Sequence, residues 1–294
     1  MVTTRLAAET LRLLPRKRLS RALGRAAASE PPRALLSRAI DLYVRAYQVD
    51  LTECVVPEGG FRTFNEFFSR PLVPGARPVD IDAGTLVCPA DGKVEDLGPI
   101  DAQSVFRVKG RDYEVGELLG GADPAPFVGG RFAVVYLSPR DYHRVHAPVD
   151  GVVERIRHVG GTLFPVNRIG VENVPRLFAK NERVAIHQRS ERFGEVVTVM
   201  VGAIVVGGIE LPFEPRLSTN KGSVLGEVVY GARGPRIGRG EELGRFVLGS
   251  TAIVLTTPKA GVEAAVASGS IARMGRTLFT SGGTSSGSSS GGSA

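Results

Sequence analysis

Phe246-Val247-Leu248-Gly249-Ser250-Thr251-Ala252-Ile253-Val254-Leu255 reads as two apolar half-strands with a Gly-Ser-Thr step between them. A core strand ordinarily carries branched apolar residues throughout, because packing on both faces rewards them. Glycine at that step weakens the strand and admits a close approach to the backbone. A hydroxyl directly after it puts a nucleophile within reach of the preceding carbonyl. A glycine bulge followed by two β-tolerant hydroxyl residues is the plainer interpretation, since Gly-Ser is common turn material. The rest of the chain decides between the two.

On the N-terminal side, residues 16–28 have the period of a helix, with Leu19, Ala22, Leu23 and Ala26 on one face and Lys17, Arg18, Arg21 and Arg25 opposite. After Pro31-Pro32 a second helix is expected over 33–48, its apolar face carrying Leu36, Ile40, Tyr43 and Tyr47. A short third helix follows in Thr63-Phe64-Asn65-Glu66-Phe67-Phe68, where Thr63 and Glu66 stand at capping-box spacing. Pro71, Pro74 and Pro78 then impose an extended linker. From Leu86 the pattern changes to strands separated by glycine turns, over 86–98, 104–108, 131–137, 151–158, 183–187, 195–209, 223–230 and 252–256. The fold class is therefore α+β, N-terminal helices on a β-rich body. Residues 1–80 form the helical region, 81–280 the β-rich domain, and 281–294 a tail of Gly, Ser, Thr and Ala that cannot build a core and is expected to be disordered.

The chain of 294 residues has ordinary hydrophobic (43%) and charged (23%) content, which is enough to bury a substantial core. Two cysteines, Cys54 and Cys88, are too few for a disulfide framework, so reduced thiols are expected. No apolar run is long enough to cross a membrane, and arginines interrupt the N-terminal leucines, unlike a secretory signal. Residues 1–45 hold ten basic and three acidic side chains, which accounts for the whole net charge of +7. That end should meet a polyanion. A basic face backed by an apolar one suits an anionic lipid surface, whereas a nucleic-acid arm would lack the apolar stripe. A terminal helix packed on its own protein, with a solvated basic side, accounts for the same pattern.

Three places could carry chemistry. Asp91 lies in a turn, Cys88-Pro89-Ala90-Asp91-Gly92, directly after a strand; most Asp-Gly pairs are only turns. His143 and His146 are two of four histidines and sit three apart beside a strand end. A metal would need further ligands that no His/Cys cluster supplies, so no metal is expected, and a base with a separate proton donor fits better. Ser250 is the third. Asp, His and Ser can form a nucleophilic triad in any chain order. The Gly-x-Ser-x-Gly elbow before a helix is missing, however, and strand follows Ser250 instead. A hydroxyl so placed is badly presented to an external ester and well presented to the Gly249 carbonyl.

Several segments together resemble the pyruvoyl-dependent phosphatidylserine decarboxylase family of bacterial proenzymes. They are Phe67-Phe68-Ser69-Arg70-Pro71-Leu72, Pro89-Ala90-Asp91-Gly92, Leu137-Ser138-Pro139-Arg140-Asp141-Tyr142-His143-Arg144-Val145-His146, Gly161-Thr162-Leu163-Phe164-Pro165-Val166-Asn167, Leu177-Phe178-Ala179-Lys180-Asn181-Glu182-Arg183 and Leu248-Gly249-Ser250-Thr251. The resemblance spans roughly residues 40–256. It implies a β-rich body with lipoyl-carrier-like barrel or sandwich elements. It also implies a proenzyme that cuts itself between Gly249 and Ser250, with Asp91 orienting His146 and His146 taking the Ser250 proton. Ser250 would become a covalent pyruvoyl group, the cofactor and Schiff-base partner of the lipid amine, while His143 serves decarboxylation. The two chains so produced would stay together through strand pairing across the former bond. The implied partners are phosphatidylserine in the bilayer and an anionic membrane surface, with no nucleic acid and with a homodimer left open. The expected location is peripheral, on the cytoplasmic face of the cytoplasmic membrane. Arg168, Lys180 and Arg183 are the candidate cations for the lipid phosphate. The alternatives are a pyruvoyl decarboxylase of a soluble amino acid, a hydrolase using Ser250 externally, and a carrier-type binding module. The last lacks a lysine at a modifiable hairpin tip.

Overall fold

The computed structural model describes residues 16–203, 208–217, 219, 226–247 and 250–282. Helices α1 (Arg16–Ala28) and α2 (Arg33–Tyr47) stand where the apolar period puts them, parted by Pro31-Pro32. Leu36 and Ile40 of α2 are buried with Val49, Phe61 and Phe67 in a small core of their own. Tyr43 meets Phe67 edge-on, and its hydroxyl donates to the Pro139 carbonyl at 3.1 Å, tying the helices to the body. Tyr47, expected on the packed face, is exposed, as are Leu35 and Leu42. The stripe on α1 is also not a packed one: Ala27 is buried, while Ala22, Leu23 and Ala26 are exposed. Helix α3 (Phe64–Phe68) opens with Thr63 Oγ1 accepting from Glu66 N at 3.0 Å. The reciprocal carboxylate of Glu66 reaches Arg62 N at 2.6 Å rather than Thr63 N, so the box closes one residue early.

The body is built from antiparallel strands. β1 (Thr85–Val87) and β2 (Gly92–Pro99) divide what reads as one strand. A hairpin of β3 (Val105–Val108) and β4 (Arg111–Glu114) leads into α4 (Val115–Leu118), and β5 (Arg131–Leu137), β6 (Arg144–His146) and β7 (Gly151–Val159) follow. After the short helices α5 (Arg168–Asn173) and α6 (Leu177–Lys180) come β8 (Arg183–Ser190), β9 (Gly194–Val201), β10 (Ile209–Glu210), β11 (Glu227–Val229) and β12 (Arg236–Ile237). The remaining strands are β13 (Glu242–Phe246), β14 (Ser250–Thr256), β15 (Val262–Ala264), β16 (Ile271–Ala272) and β17 (Thr277–Ser281). The strand expected over 195–209 stops at Val201. The strands beyond Thr256 are too short to show a period.

Nine strands form one open sheet in the order β11-β7-β8-β9-β14-β5-β2-β16, with β12 also on β7. None of the described sheets closes into a barrel; the sandwich element is present. A three-stranded sheet, β10-β13-β6, covers one face, so that Val145, Leu243 and Phe246 share a core with Ala252 and Val254. Ile253 and Leu255 point to a second core on the opposite face. All seven residues of β14 are buried, which is why this strand reads as a continuous apolar run.

The two half-strands flanking Gly249 are therefore not halves of one strand. β13 pairs with β10 and β6, whereas β14 pairs with β5 and β9. Leu248 and Gly249 lie outside the described residues, and so do residues 1–15 and the tail from 283.

Candidate active site

Ser250 is the first residue of the central strand, opposite Leu137, and shares the face of Ala252 and Val254. It is 1% exposed, and its hydroxyl has no hydrogen-bond partner among the described residues. A buried hydroxyl normally finds a partner, so one left bare at a strand head is a functional signal. Thr251, aimed at the other face, is bare in the same way.

Strand β6 brings the two histidines to this end of the sheet. His146 N donates to the Pro89 carbonyl at 2.8 Å, and its register partner is Glu242 of β13. Three residues earlier, the His143 carbonyl accepts from Phe246 N at 3.0 Å, four residues before Ser250. Alternation along β6 thus puts one histidine against the Asp91 turn and the other against the approach to Ser250.

Their rings are held differently. His143 Nδ1 donates to the Asp141 carbonyl at 2.7 Å, which leaves Nε2 as the lone-pair nitrogen. That nitrogen is buried and unpartnered, and the ring lies 4.0 Å, centroid to centroid, from Phe68. Burial is the main cause that holds the His143 pKa down at about 3, with the Arg70 charge pushing the same way, so the ring is neutral. His146 Nδ1 donates to the Gly240 carbonyl at 2.8 Å, while its Nε2 accepts from the Tyr142 hydroxyl at 2.9 Å. Burial again lowers its pKa, against weaker raising influences from the Gly240 bond, Glu242 and Asp91.

Asp91 is close enough to act on His146 by charge, but the structure makes no hydrogen bond between them. Its carboxylate is taken by Arg77, through Nε at 2.9 and 3.1 Å and Nη2 at 2.6 Å, and by Met274 N at 2.9 Å. Arg77 in turn meets Glu53 at 2.8 Å. The turn itself is set by Gly92. Its φ is +148°, and a Cβ there would stand 2.1 Å from the Tyr136 carbonyl oxygen, next to the Leu137 that faces Ser250. Only glycine lets β2 enter so close to β5.

The ends of β2, β6 and β14 thus bring Asp91, His146 and His143 toward the strand head that carries Ser250, but the Ser250 hydroxyl bonds to none of them. Sequence reasoning missed Tyr142, Arg77 and the Gly240 carbonyl. Tyr142 sits within the recognised motif, yet a loop-and-strand segment has no period to mark it, and a backbone carbonyl 94 residues away leaves no trace in the sequence. Two candidate phosphate cations are committed elsewhere. Arg183 is buried and donates to the carbonyls of Glu117, Leu118, Ala179 and Asn181, and Arg168 pairs with Glu172. Lys180 remains. Among the described residues no three His, Cys, Asp or Glu side chains gather as a metal site.

Beside His143 an apolar groove of about 690 Å³ runs between α1, α2 and α3, with Leu23, Leu35, Leu36, Tyr43 and Phe68 in its walls. Phe68 touches both the groove and the His143 ring. No helix among the described residues is long and apolar enough to cross a membrane.

Comparison with known proteins gives a consistent result. The sequence model of the phosphatidylserine decarboxylase family matches residues 64–280. The phosphatidylserine decarboxylase proenzyme of Pseudomonas aeruginosa is 47% identical over 253 residues, covering 84% of this chain and 86% of that protein. The proenzymes of Bordetella bronchiseptica (44% over 253 residues, 84% of each chain) and Marinobacter nauticus (42% over 252 residues, 85% of this chain and 87% of that protein) are similar relatives.

Proposed function

The chain belongs to the phosphatidylserine decarboxylase family, and on that premise we propose that it converts phosphatidylserine to phosphatidylethanolamine and CO₂ after cutting itself between Gly249 and Ser250. The observation that carries the reading is the bare, buried Ser250 hydroxyl at the head of the central strand, with two neutral histidines delivered to the same end.

In the self-cleavage, His146 takes the proton from Ser250 Oγ and the oxygen attacks the Gly249 carbonyl carbon. The Gly249 C–Ser250 N bond breaks, and the nitrogen takes a proton as the chain passes to an ester. Gly249 suits this step because no Cβ guards its carbonyl. Asp91, anchored by Arg77, supports the imidazolium by charge rather than by direct contact. Loss of the Ser250 Cα proton then breaks its Cβ–Oγ bond, which frees Gly249 as a carboxylate and leaves dehydroalanine at 250; water replaces the nitrogen, released as ammonia, to give the pyruvoyl end. The small chain so produced stays bound because β14 is hydrogen-bonded on both sides to strands of the large chain, β5 and β9.

A pyruvoyl group at position 250 fits the position, since the hydroxyl it replaces is buried, unpartnered and walled by apolar side chains. Such a group supplies a carbonyl that binds the serine amine and accepts the electrons released with CO₂. The chain's own contribution is positional. His143 Nε2 is the buried, unpartnered nitrogen beside this site: it would take up the proton that the substrate ammonium gives up on joining the carbonyl, donate to the substrate carboxylate, and pass that proton to Cα once CO₂ has left. The dry surroundings strengthen both interactions.

The apolar groove between α1, α2 and α3 would take acyl chains, with Phe68 at the junction between chains and headgroup. Exposed Leu23, Leu35 and Leu42 beside a basic N-terminal region suit a protein lying on the cytoplasmic face of the cytoplasmic membrane. The 1–80 segment is the membrane-associating region of this reading, and the Gly/Ser tail begins later than the expected residue 281, since Ser281 still pairs with Val262 at the end of β17. A decarboxylase of a soluble amino acid has no use for the groove.

The deciding experiment is an intact-mass spectrum with a decarboxylation assay. Wild type should give two chains and release CO₂ from phosphatidylserine, and Ser250→Ala should give one chain and none. Full activity in Ser250→Ala would end the reading.

A further inference from the structure

Two arginines are buried among the described residues, Arg70 at 3% and Arg183 at 2% exposure, and neither has a carboxylate in ion-pair reach. A buried cation without a counterion is expensive unless hydrogen bonds or a ligand compensate it. Arg183 is compensated by four carbonyls at 2.5–2.8 Å. Arg70 is not. Its Nε donates to the Cys54 thiol sulfur at 3.1 Å, Nη1 to the Phe67 carbonyl at 3.4 Å and Nη2 to the Arg140 carbonyl at 3.3 Å. Two of these bonds are at the long end of the range, the third is to a weak acceptor, and two of the five N–H groups are unspent.

The surroundings show where a ligand would come from. Arg70 lines a cleft of about 250 Å³ with Arg140, Asp141 and Tyr142. The carboxylates in that cleft are already engaged: Asp91 and Glu53 by Arg77, Asp50 by Thr52, and Asp141 by Ser138. The Arg140 carbonyl that holds Arg70 is followed in the chain by the Asp141 carbonyl that holds His143. Guanidinium and imidazole therefore hang from consecutive carbonyls of one loop. In a serine phosphodiester the phosphorus is three bonds from the Cα that bears the carboxylate. A cation one carbonyl along from the carboxylate-facing histidine is placed to meet it.

We propose that Arg70 binds the phosphodiester of the lipid headgroup, so that a phosphate at Arg70 and a carboxylate at His143 together select the substrate. This rests on the decarboxylase reading above. Guanidinium matches two phosphate oxygens at once, which a lysine ammonium cannot do. The ligand completes the coordination that the fold leaves open.

The test uses the full chain as Arg70→Met and Arg70→Lys, compared with wild type on dihexanoyl phosphatidylserine and on serine O-octyl ether, which has no phosphate. Intact mass reports self-cleavage in each. Both variants should cleave. Arg70→Met should raise KM for the phosphodiester about tenfold or more with a smaller change in kcat, Arg70→Lys should recover part of that loss, and the ether should be handled equally by all three. Glycerophosphoserine should compete better with wild type than with Arg70→Met; if inorganic phosphate alone competes equally well, the site takes free phosphate rather than the headgroup and the assignment fails. It also fails if Arg70→Met affects both substrates alike, leaves KM unchanged, or if neither variant cleaves, which would make Arg70 a residue of the fold. A wild-type chain inactive on phosphatidylserine would overturn the functional reading as well, a result the variants are not needed to see.

Discussion

The Tyr142 hydroxyl donates to His146 Nε2 at 2.9 Å, so the nitrogen that would take the serine proton is already occupied. With Nδ1 fixed on the Gly240 carbonyl, the ring has one tautomer and one orientation. Burial keeps the phenol protonated, so it remains a donor, and its bond favours neutral imidazole. Other charges facing the ring are Glu242 across the strand pair, Arg144 on its own strand, and Asp91 with its Arg77.

Removing that donor should raise the proton affinity of His146. One hydrogen bond is worth about 1 kcal/mol, or somewhat under one pKa unit. In a Ser250→Ala background, histidine NMR titration of Tyr142→Phe should show one of the four imidazoles, that of His146, moving upward by about that amount. With Ser250 restored, cleavage of Tyr142→Phe should slow on the acid side of neutrality and match wild type near pH 8. An unmoved titration curve would separate Tyr142 from the base.

Asp91 offers a second check, because its two roles can be parted. Asp91→Asn keeps an acceptor for Met274 N while losing the charge, and should fold yet cleave far more slowly. Arg77→Met strips a nearly buried carboxylate of its partner and should destabilise the Ser250→Ala chain by about 3 kcal/mol or more in denaturant unfolding. Comparable stability in the two variants would contradict the ion pair's place in the fold.

His143 should make the protein acid-sensitive. Its folded pKa, about 3, lies below the ordinary 6.5, so the unfolded chain binds the extra proton between those values. The stability it contributes is fully present above about pH 6.5 and is lost progressively as pH falls toward 3. His143→Gln should flatten that dependence, as read from denaturation midpoints at pH 7 and pH 5, while still permitting self-cleavage and abolishing decarboxylation.

Gly92→Ala should be severe despite the small change. Its added methyl would meet the Tyr136 carbonyl oxygen at 2.1 Å, and backbone cannot step aside as a side chain can. The expected outcome is an uncleaved, poorly folded chain, seen by intact mass and circular dichroism.

Ala39→Trp should fill the groove between the N-terminal helices. KM for dioleoyl phosphatidylserine in vesicles should rise about tenfold, with dihexanoyl phosphatidylserine little affected. Equal effects on both lipids would remove the groove from acyl binding.

The sequence alone determined the elements whose signal is local. Helices α1 and α2 follow from an apolar period inside one segment, the buried central strand from its unbroken Ala-Ile-Val-Leu run, and the candidate residues Asp91, His143, His146 and Ser250 from short motifs. Tertiary structure decided what depends on partners far along the chain. It split the Phe246–Leu255 stretch between two sheets, because β13 and β14 find different neighbours. It gave the Asp91 carboxylate to Arg77 and the ring of His146 to Tyr142 and the Gly240 carbonyl, and it left Arg70 buried without a counterion. Those outcomes arise from long-range strand pairing and from competition for hydrogen bonds in a dry interior, where a partner's position in space matters and its position in sequence carries no mark.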